Sequence, residues 1–308
     1  MSSLDSASVS PMISFVGAGP GADDLITLRG AHRLANADIV IWASSLIPES
    51  LLDHCRAQVR VHDSKTMTLE DVLAVYAANP DAAIVRLHSG DPGVYGAIGE
   101  QIDWCFANDR PFEIVPGVTS VAAASAALRR ELTVPQVSQS LVFTRLAGRT
   151  AASMSEGEGV AAFAPHGTTM AVFLSAARPQ ELQDELLAIG SRYMSETPAA
   201  IVVRVSWPDE QLMMTTVGRL AEDLLALGHT MTVLVLVGDV LADGPVRARS
   251  HLYAPEFTTT YRLRSEAGST SGRASRRSMA GTKPDPERDG PNHETLTTSA
   301  AATSVSAS

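Results

Sequence analysis

The sequence predicts an α/β fold of two α/β domains, and three observations carry that prediction. Its 308 residues are more than one ordinary domain needs. The first half alternates short apolar runs with amphipathic stretches, as strand–helix–strand units do. A second set of apolar runs then follows the turn-rich Thr133-Val134-Pro135. The expected organisation is an unstructured N-terminus over 1–11 and an N-terminal α/β domain over 12–130. A C-terminal α/β domain over 131–254 and an extended segment with a disordered tail over 255–308 follow.

In chain order, Met12 to Val16 reads as the first strand and ends in a glycine-rich turn. Leu25 to Ala35 reads as a helix, Asp38 to Trp42 as a strand, Val59 to Val61 as a short strand and Thr68 to Ala78 as a helix. Ala83 to Leu87 and Phe112 to Val115 complete a mostly parallel sheet, whose covered faces account for the near-continuous apolar runs. Val118 to Arg130 reads as a helix rich in small residues. Leu141–Thr144, Met170–Leu174, Ala200–Val205, Met213–Val217 and Met231–Val237 read as the strands of the second half. The stretch from Gly148 to Gly167 reads as loop with a short helix. From about Leu263 the chain turns to Ser, Thr, Ala, Gly and Arg, which cannot repay the entropy of ordering.

Composition narrows the function. A hydrophobic fraction of 45% supports a core, and few aromatics make that core aliphatic. A net charge of -10 argues against nucleic acid, whose binding rests on clustered cations. Two cysteines, Cys55 and Cys105, lie too far apart for a CxxC site and suit a reducing compartment. No metal-ligand cluster is expected from the histidines and cysteines. The first residues lack a basic region and an apolar run, and Val233–Val237 is strand-length, so a cytoplasmic protein with no membrane partner is expected.

Three glycine turns carry the chemistry. Gly17-Ala18-Gly19-Pro20-Gly21-Ala22 satisfies the dinucleotide pattern of Gly17, Gly19 and Ala22, but Pro20 removes an amide donor. Asp23-Asp24 would also set two carboxylates beside a pyrophosphate, which argues against NAD. His88-Ser89-Gly90-Asp91-Pro92-Gly93-Val94-Tyr95-Gly96 follows a strand and is expected to open a helix running to Phe106, with Asp91 as N-cap and Pro92 as first helical residue. Capping requires neither Gly90 nor the glycines behind it, which points to backbone approaching a ligand at the carboxyl end of the sheet. Val115-Pro116-Gly117-Val118-Thr119-Ser120 makes a third such turn. Three at strand ends suggest one shared crevice.

GAGPG, SGDP and PGVTS in this order resemble the tetrapyrrole (uroporphyrinogen/corrin) methyltransferase family, over about Met12 to Arg262. Trp42–Pro48, Leu87–Gln101, Glu131–Gln139, Thr144-Arg145 and Gly148-Arg149-Thr150 are similar to members that methylate a corrin precursor. The resemblance implies two α/β domains, S-adenosylmethionine in the cleft between them, a tetrapyrrole substrate and a homodimer. It implies cofactor contacts from Gly90, Asp91, Pro92, Val94 and Tyr95, from Thr119 and Ser120, and from Leu174, Ala200, Thr232 and Val233. Met231-Thr232-Val233 departs from the Pro-Ala pair that many members carry. Gly19, Pro20 and Gly21 would face the substrate.

Methyl transfer to an electron-rich ring carbon needs alignment more than a nucleophilic side chain. His88, beside the SGDP loop, is the candidate for a base. A polycarboxylate substrate calls for arginines, whose planar fork matches carboxylates. Arg29, Arg145 and Arg149 are the candidates for that contact, with Arg86 and Arg129 also placed near loops.

Overall fold

The computed structural model describes residues 11–147 and 154–244, with Ser250, Tyr253, Ala254, Phe257 and Thr258. The described residues up to Gly244 belong to one compact unit. The N-terminus, Arg149 and nearly all of the expected tail lie outside the described residues.

Five parallel strands make the first sheet: β1 (Ile13–Gly17), β2 (Ile39–Trp42), β3 (Arg60–Asp63), β4 (Ile84–His88) and β5 (Phe112–Val115), in the order β3-β2-β4-β1-β5. Both faces are covered, as an all-parallel sheet requires. Val16, Val40, Val85, Leu87 and Val115 pack with Leu34 and Leu51 on one face. Ile13, Phe15, Ile39, Ile41 and Ile84 pack with Tyr76 and Cys105 on the other.

The helices of this half are α1 (Leu28–Ala35), α2 (Leu69–Ala78), α3 (Gly99–Ala107) and α4 (Ser120–Leu128). Local chemistry sets most of their starts. The Thr27 hydroxyl accepts the Gly30 amide, and Thr119 accepts that of Ala122. Thr68 and Asp71 form a reciprocal capping box at α2. The Thr27 cap starts α1 three residues later than Leu25, which ends a separate 3-10 turn, Asp23–Leu25.

The expected helix from Pro92 is corrected. Residues 92–98 form a turn-rich loop, and α3 begins only at Gly99. Tyr95 and Ala97 have φ of 55° and 50°, the left-handed region that stops a helix. A side chain at Gly96 would overlap the Pro92 carbonyl, so this loop closes more tightly than a helix would.

The second sheet holds β6 (Leu141–Arg145), β7 (Thr169–Phe173), β8 (Pro198–Val203), β9 (Gln211–Thr216) and β10 (Val233–Val237), in the order β6-β7-β10-β8-β9. Only β6 and β7 are parallel; β10 runs antiparallel to both neighbours. The helices α5 (Val160–Phe163), α6 (Pro179–Leu186) and α7 (Leu220–Leu227) cover one face through Val160, Leu182, Leu186, Leu220 and Leu224. The other face is covered by α4, whose Val121, Ala123 and Ala124 meet Ala171, Ala200, Val202, Leu234 and Leu236. Small residues on both sides let this helix lie close to the sheet. The helix read with the first half thus seals the second, and both sheets belong to one compact unit.

Three polar side chains, Tyr76, Gln101 and His88, are buried in or beside β4. The Tyr76 hydroxyl donates to Gln101 Oε1 at 2.8 Å, and Gln101 Nε2 donates to the Ala97 carbonyl at 3.1 Å, tying α2 to the base of the 92–98 loop. His88 is 7% exposed and packs its ring 6.2 Å from that of Phe15. Burial, with the nearby Arg86 guanidinium, pushes its imidazole down to about 3.

Two outcomes follow from these groups. Tyr76→Phe leaves the buried Gln101 carbonyl unpaired and lowers stability by about 1–3 kcal/mol in denaturant titration. His88 stays neutral in the folded protein but gains a proton on unfolding below its ordinary value of 6.5. Its contribution is therefore complete above pH 6.5 and lost as pH falls from there toward 3. Stability should drop between pH 6.5 and 5 by roughly 1 kcal/mol per pH unit. His88→Gln should flatten that part of the profile, above the range where carboxylates titrate.

Candidate functional site

The turns after β1, β4 and β5 meet at the carboxyl ends of these adjacent strands. The Gly90 amide donates to the Gly19 carbonyl at 2.8 Å, and the Gly19 amide to that of Gly90 at 3.2 Å. Gly19 and Gly90 have φ of 81° and 66°, which glycine adopts without the penalty a side chain adds. Gly17 and Gly117 lie so close that a side chain on either would overlap the other's backbone and the Gly90 carbonyl. The Asp91 carboxylate accepts the Gly93 amide through one oxygen and the Gly117 amide through the other, both at 2.8 Å. Asp91 is thus no helix cap; it clamps the second turn to the third.

The second sheet contributes three loops from one edge. Because β10 is antiparallel to β7 and β8, the ends of β7 and β8 and the start of β10 share that edge. Leu174, Arg204, Ser206 and Thr232 sit in these loops with φ of 53°, 46°, 65° and 54°. Left-handed backbone without glycine is costly and concentrates where a site over-determines the chain.

Between the two sets of loops lies a cavity of about 500 Å³. Its wall includes Pro20 from the first turn, Gly90, Asp91, Val94 and Tyr95 from the second, and Thr119 and Ser120 at the start of α4. Leu174, Thr232 and Val233 line it from the second sheet. The Tyr95 ring packs 5.0 Å from that of Phe173, joining the two halves across the cavity.

Other candidate residues stand back from this wall. Pro92 is buried beneath the loop, and Ala200 is fully buried under α4. Gly19 is buried within its turn, and Gly21 lies under Trp207, leaving no room for a side chain. Arg29 is exposed on α1, on the side of Glu113. Arg145, at the end of β6, donates to the Leu146 carbonyl and lies near Tyr95. His88 is held in the first-sheet core, one residue short of the wall, which begins at Ser89.

Sequence reasoning missed the loop after β8. Trp207 Nε1 donates to the Pro20 carbonyl at 2.9 Å, and the Ala22 amide donates to Ser206 Oγ at 2.9 Å. These bonds join the first glycine turn to the second sheet and set Arg204 and Trp207 on the cavity wall. One signal was present: a tryptophan before proline just past a strand, in a chain with only three tryptophans.

The arrangement suits a mixed ligand. Apolar side chains supply most of the wall, while Thr119, Ser120 and the first turn of α4 offer hydroxyls and amides without partners inside the helix. An anionic end fits there, and an apolar body fits beside Leu174 and Val233.

A family model for tetrapyrrole (corrin/porphyrin) methylases matches residues 12–221. The cobalt-precorrin-4 C(11)-methyltransferase of Methanocaldococcus jannaschii is 41% identical over 252 residues, 81% of this chain and 95% of the relative. The precorrin-4 C(11)-methyltransferase of Pseudomonas aeruginosa is 40% identical over 252 residues, 81% of this chain and 98% of the relative. Among solved structures, a cobalt precorrin-4 methyltransferase of cobalamin biosynthesis superposes with a TM-score of 0.72 at 34% identity, over 78% of this chain and 100% of that one. The uroporphyrin-III C-methyl transferase of Thermus thermophilus, complexed with S-adenosylhomocysteine, gives a TM-score of 0.60 at 27% identity, over 75% of this chain and 98% of that one. The chain belongs to the tetrapyrrole (corrin/porphyrin) methylase family.

Proposed function

We propose that the protein methylates precorrin-4, or its cobalt complex, at C(11) to give the precorrin-5 macrocycle, with S-adenosylmethionine as donor. The observation that carries this reading is the cavity walled jointly by the Gly90–Asp91 turn, the start of α4 and the loops of the second sheet. Relatives of about 40% identity over four-fifths of the chain carry the names of this activity. The division at about residue 130 into a 12–130 half and a 131–254 half, and a cytoplasmic homodimer, belong to the same reading.

The donor brings an electrophilic methyl group on a sulfonium whose sulfur leaves neutral. The chain's own part is alignment and exclusion of water. Gly90, Asp91, Val94 and Tyr95 hold the donor from the first half, and Leu174, Thr232 and Val233 hold it from the second. Pro92 and Ala200 support these contacts from behind. Thr119 and Ser120 present the α4 amides and hydroxyls to the donor's carboxylate. Pro20 closes the floor, with Gly19 and Gly21 shaping its turn toward the macrocycle. Arg145 and Arg149 are placed by the reading at the substrate carboxylates, and Arg29 at the outer rim. His88, neutral and buried, serves as a packing residue rather than a base, so a proton leaving the macrocycle passes to solvent.

Two measurements test this. With carbon-13-methyl S-adenosylmethionine and enzymatically prepared precorrin-4, the product should carry one labelled methyl, at C(11) by NMR; label at another carbon would reassign the substrate position. Calorimetric titration with S-adenosylhomocysteine should show binding that weakens tenfold or more in Asp91→Ala, since the clamp to Gly117 is lost. Gly117→Ala should destabilise the protein by about 1–3 kcal/mol and weaken the same binding, because the new methyl overlaps the Gly90 carbonyl. Unchanged binding in both variants would detach these turns from the donor site.

A further inference from the structure

Among the described residues the cavity wall carries two charged side chains, Asp91 and Arg204. Asp91 spends both oxygens on backbone amides. Arg204 is therefore the cation that the described residues set on this wall, and its side chain is only 27% exposed.

Its position is unusually constrained. The backbone is left-handed, with φ of 46°, and its amide donates to the Thr232 carbonyl at 2.8 Å. Nε donates to Asp209 Oδ1 at 2.7 Å. The guanidinium lies over the Trp207 ring, its central carbon 4.0 Å from the ring centroid. Trp207 is itself fixed through Nε1 to the Pro20 carbonyl. The two terminal nitrogens have no acceptor among the described residues. A flexible cation has thus been ordered before any ligand arrives, with one edge engaged and the forked edge unspent. That is the geometry for a carboxylate, which accepts two parallel N–H bonds from such a fork.

Given the proposed substrate class, we propose that Arg204, stacked on Trp207, binds a peripheral carboxylate of the tetrapyrrole and so reads the substrate's orientation in the cleft. The other candidate anion is the carboxylate of the methyl donor. The start of α4, on the opposite half of the wall, already offers that group unpaired amides. Arg204 is left for the macrocycle. The bond from Trp207 to Pro20 then has a second consequence: a carboxylate on Arg204 presses the macrocycle against the joint between the first glycine turn and the second sheet.

The test uses the full chain and two stable probes, S-adenosylhomocysteine for the donor site and uroporphyrin III for a polycarboxylate macrocycle. Binding of each is measured for the wild type and for Arg204→Gln, the porphyrin with S-adenosylhomocysteine present. Expected is unchanged S-adenosylhomocysteine affinity and porphyrin affinity about ten- to a hundredfold weaker, the loss of a charge-assisted pair. Arg204→Lys, which keeps the charge but not the fork, should recover only part of it. Weakened S-adenosylhomocysteine binding in Arg204→Gln would make Arg204 a donor-site or folding residue and overturn the proposal. Equal porphyrin affinity in both proteins would overturn it too, as would wild-type protein that binds S-adenosylhomocysteine but no porphyrin. Failure of the wild type to bind S-adenosylhomocysteine would instead remove the proposed function itself.

Discussion

The structure depends on how closely three backbone turns can approach one another. Gly17, Gly90 and Gly117 meet where side chains would collide, and the Asp91 carboxylate holds the second turn to the third. Sterics set the distance and one charge-assisted pair of hydrogen bonds fixes it. The polarity of the Asp91 contacts explains why the residue is an acid: each oxygen meets a backbone donor that the turns leave over. Pro20, Gly90, Asp91 and Thr119 on the first-half side of the cavity inherit their positions from this junction.

The opposite wall is built on another principle. No glycines sit at the left-handed positions Leu174, Arg204, Ser206 and Thr232, so the surrounding packing must bear the strain. The antiparallel placement of β10 between β7 and β8 brings these loops to one edge. The α4 helix then carries the register between halves, since its alanines pack on the second sheet while its first turn faces the cavity. Trp207 and Ser206 complete the connection by bonding to the first glycine turn.

Much of this was legible in the residues. Among the described residues the ten strands fall within a few residues of the expected runs. Buried strands such as β1, β2 and β10 announce themselves as apolar stretches, while β3 and β9 have no buried residue. The shared crevice of the three glycine turns was also legible, since each turn follows a strand directly. The start of α3 was not. Asp91-Pro92 is the local signature of a helix start, and only a tertiary partner, the Gly117 amide 26 residues away, claims the carboxylate instead. The helices α6 and α7 sit in stretches where only the flanking strands stood out. Arg204 was hidden because its meaning depends on Trp207 and, through it, on Pro20, 187 residues earlier. Arg29 and Arg145 were placed near loops by their position in the sequence, and both stand outside the cavity wall that the described residues form.

A crystal structure of the protein with S-adenosylhomocysteine would show directly whether the three turns are prebuilt for the donor. The ligand should span the cavity, its amino-acid end at Thr119 and Ser120 and its remainder against Leu174 and Val233, with the Asp91–Gly117 clamp intact. A ligand seated elsewhere, or a clamp that opens to admit it, would contradict the claim that these turns are prebuilt for the donor.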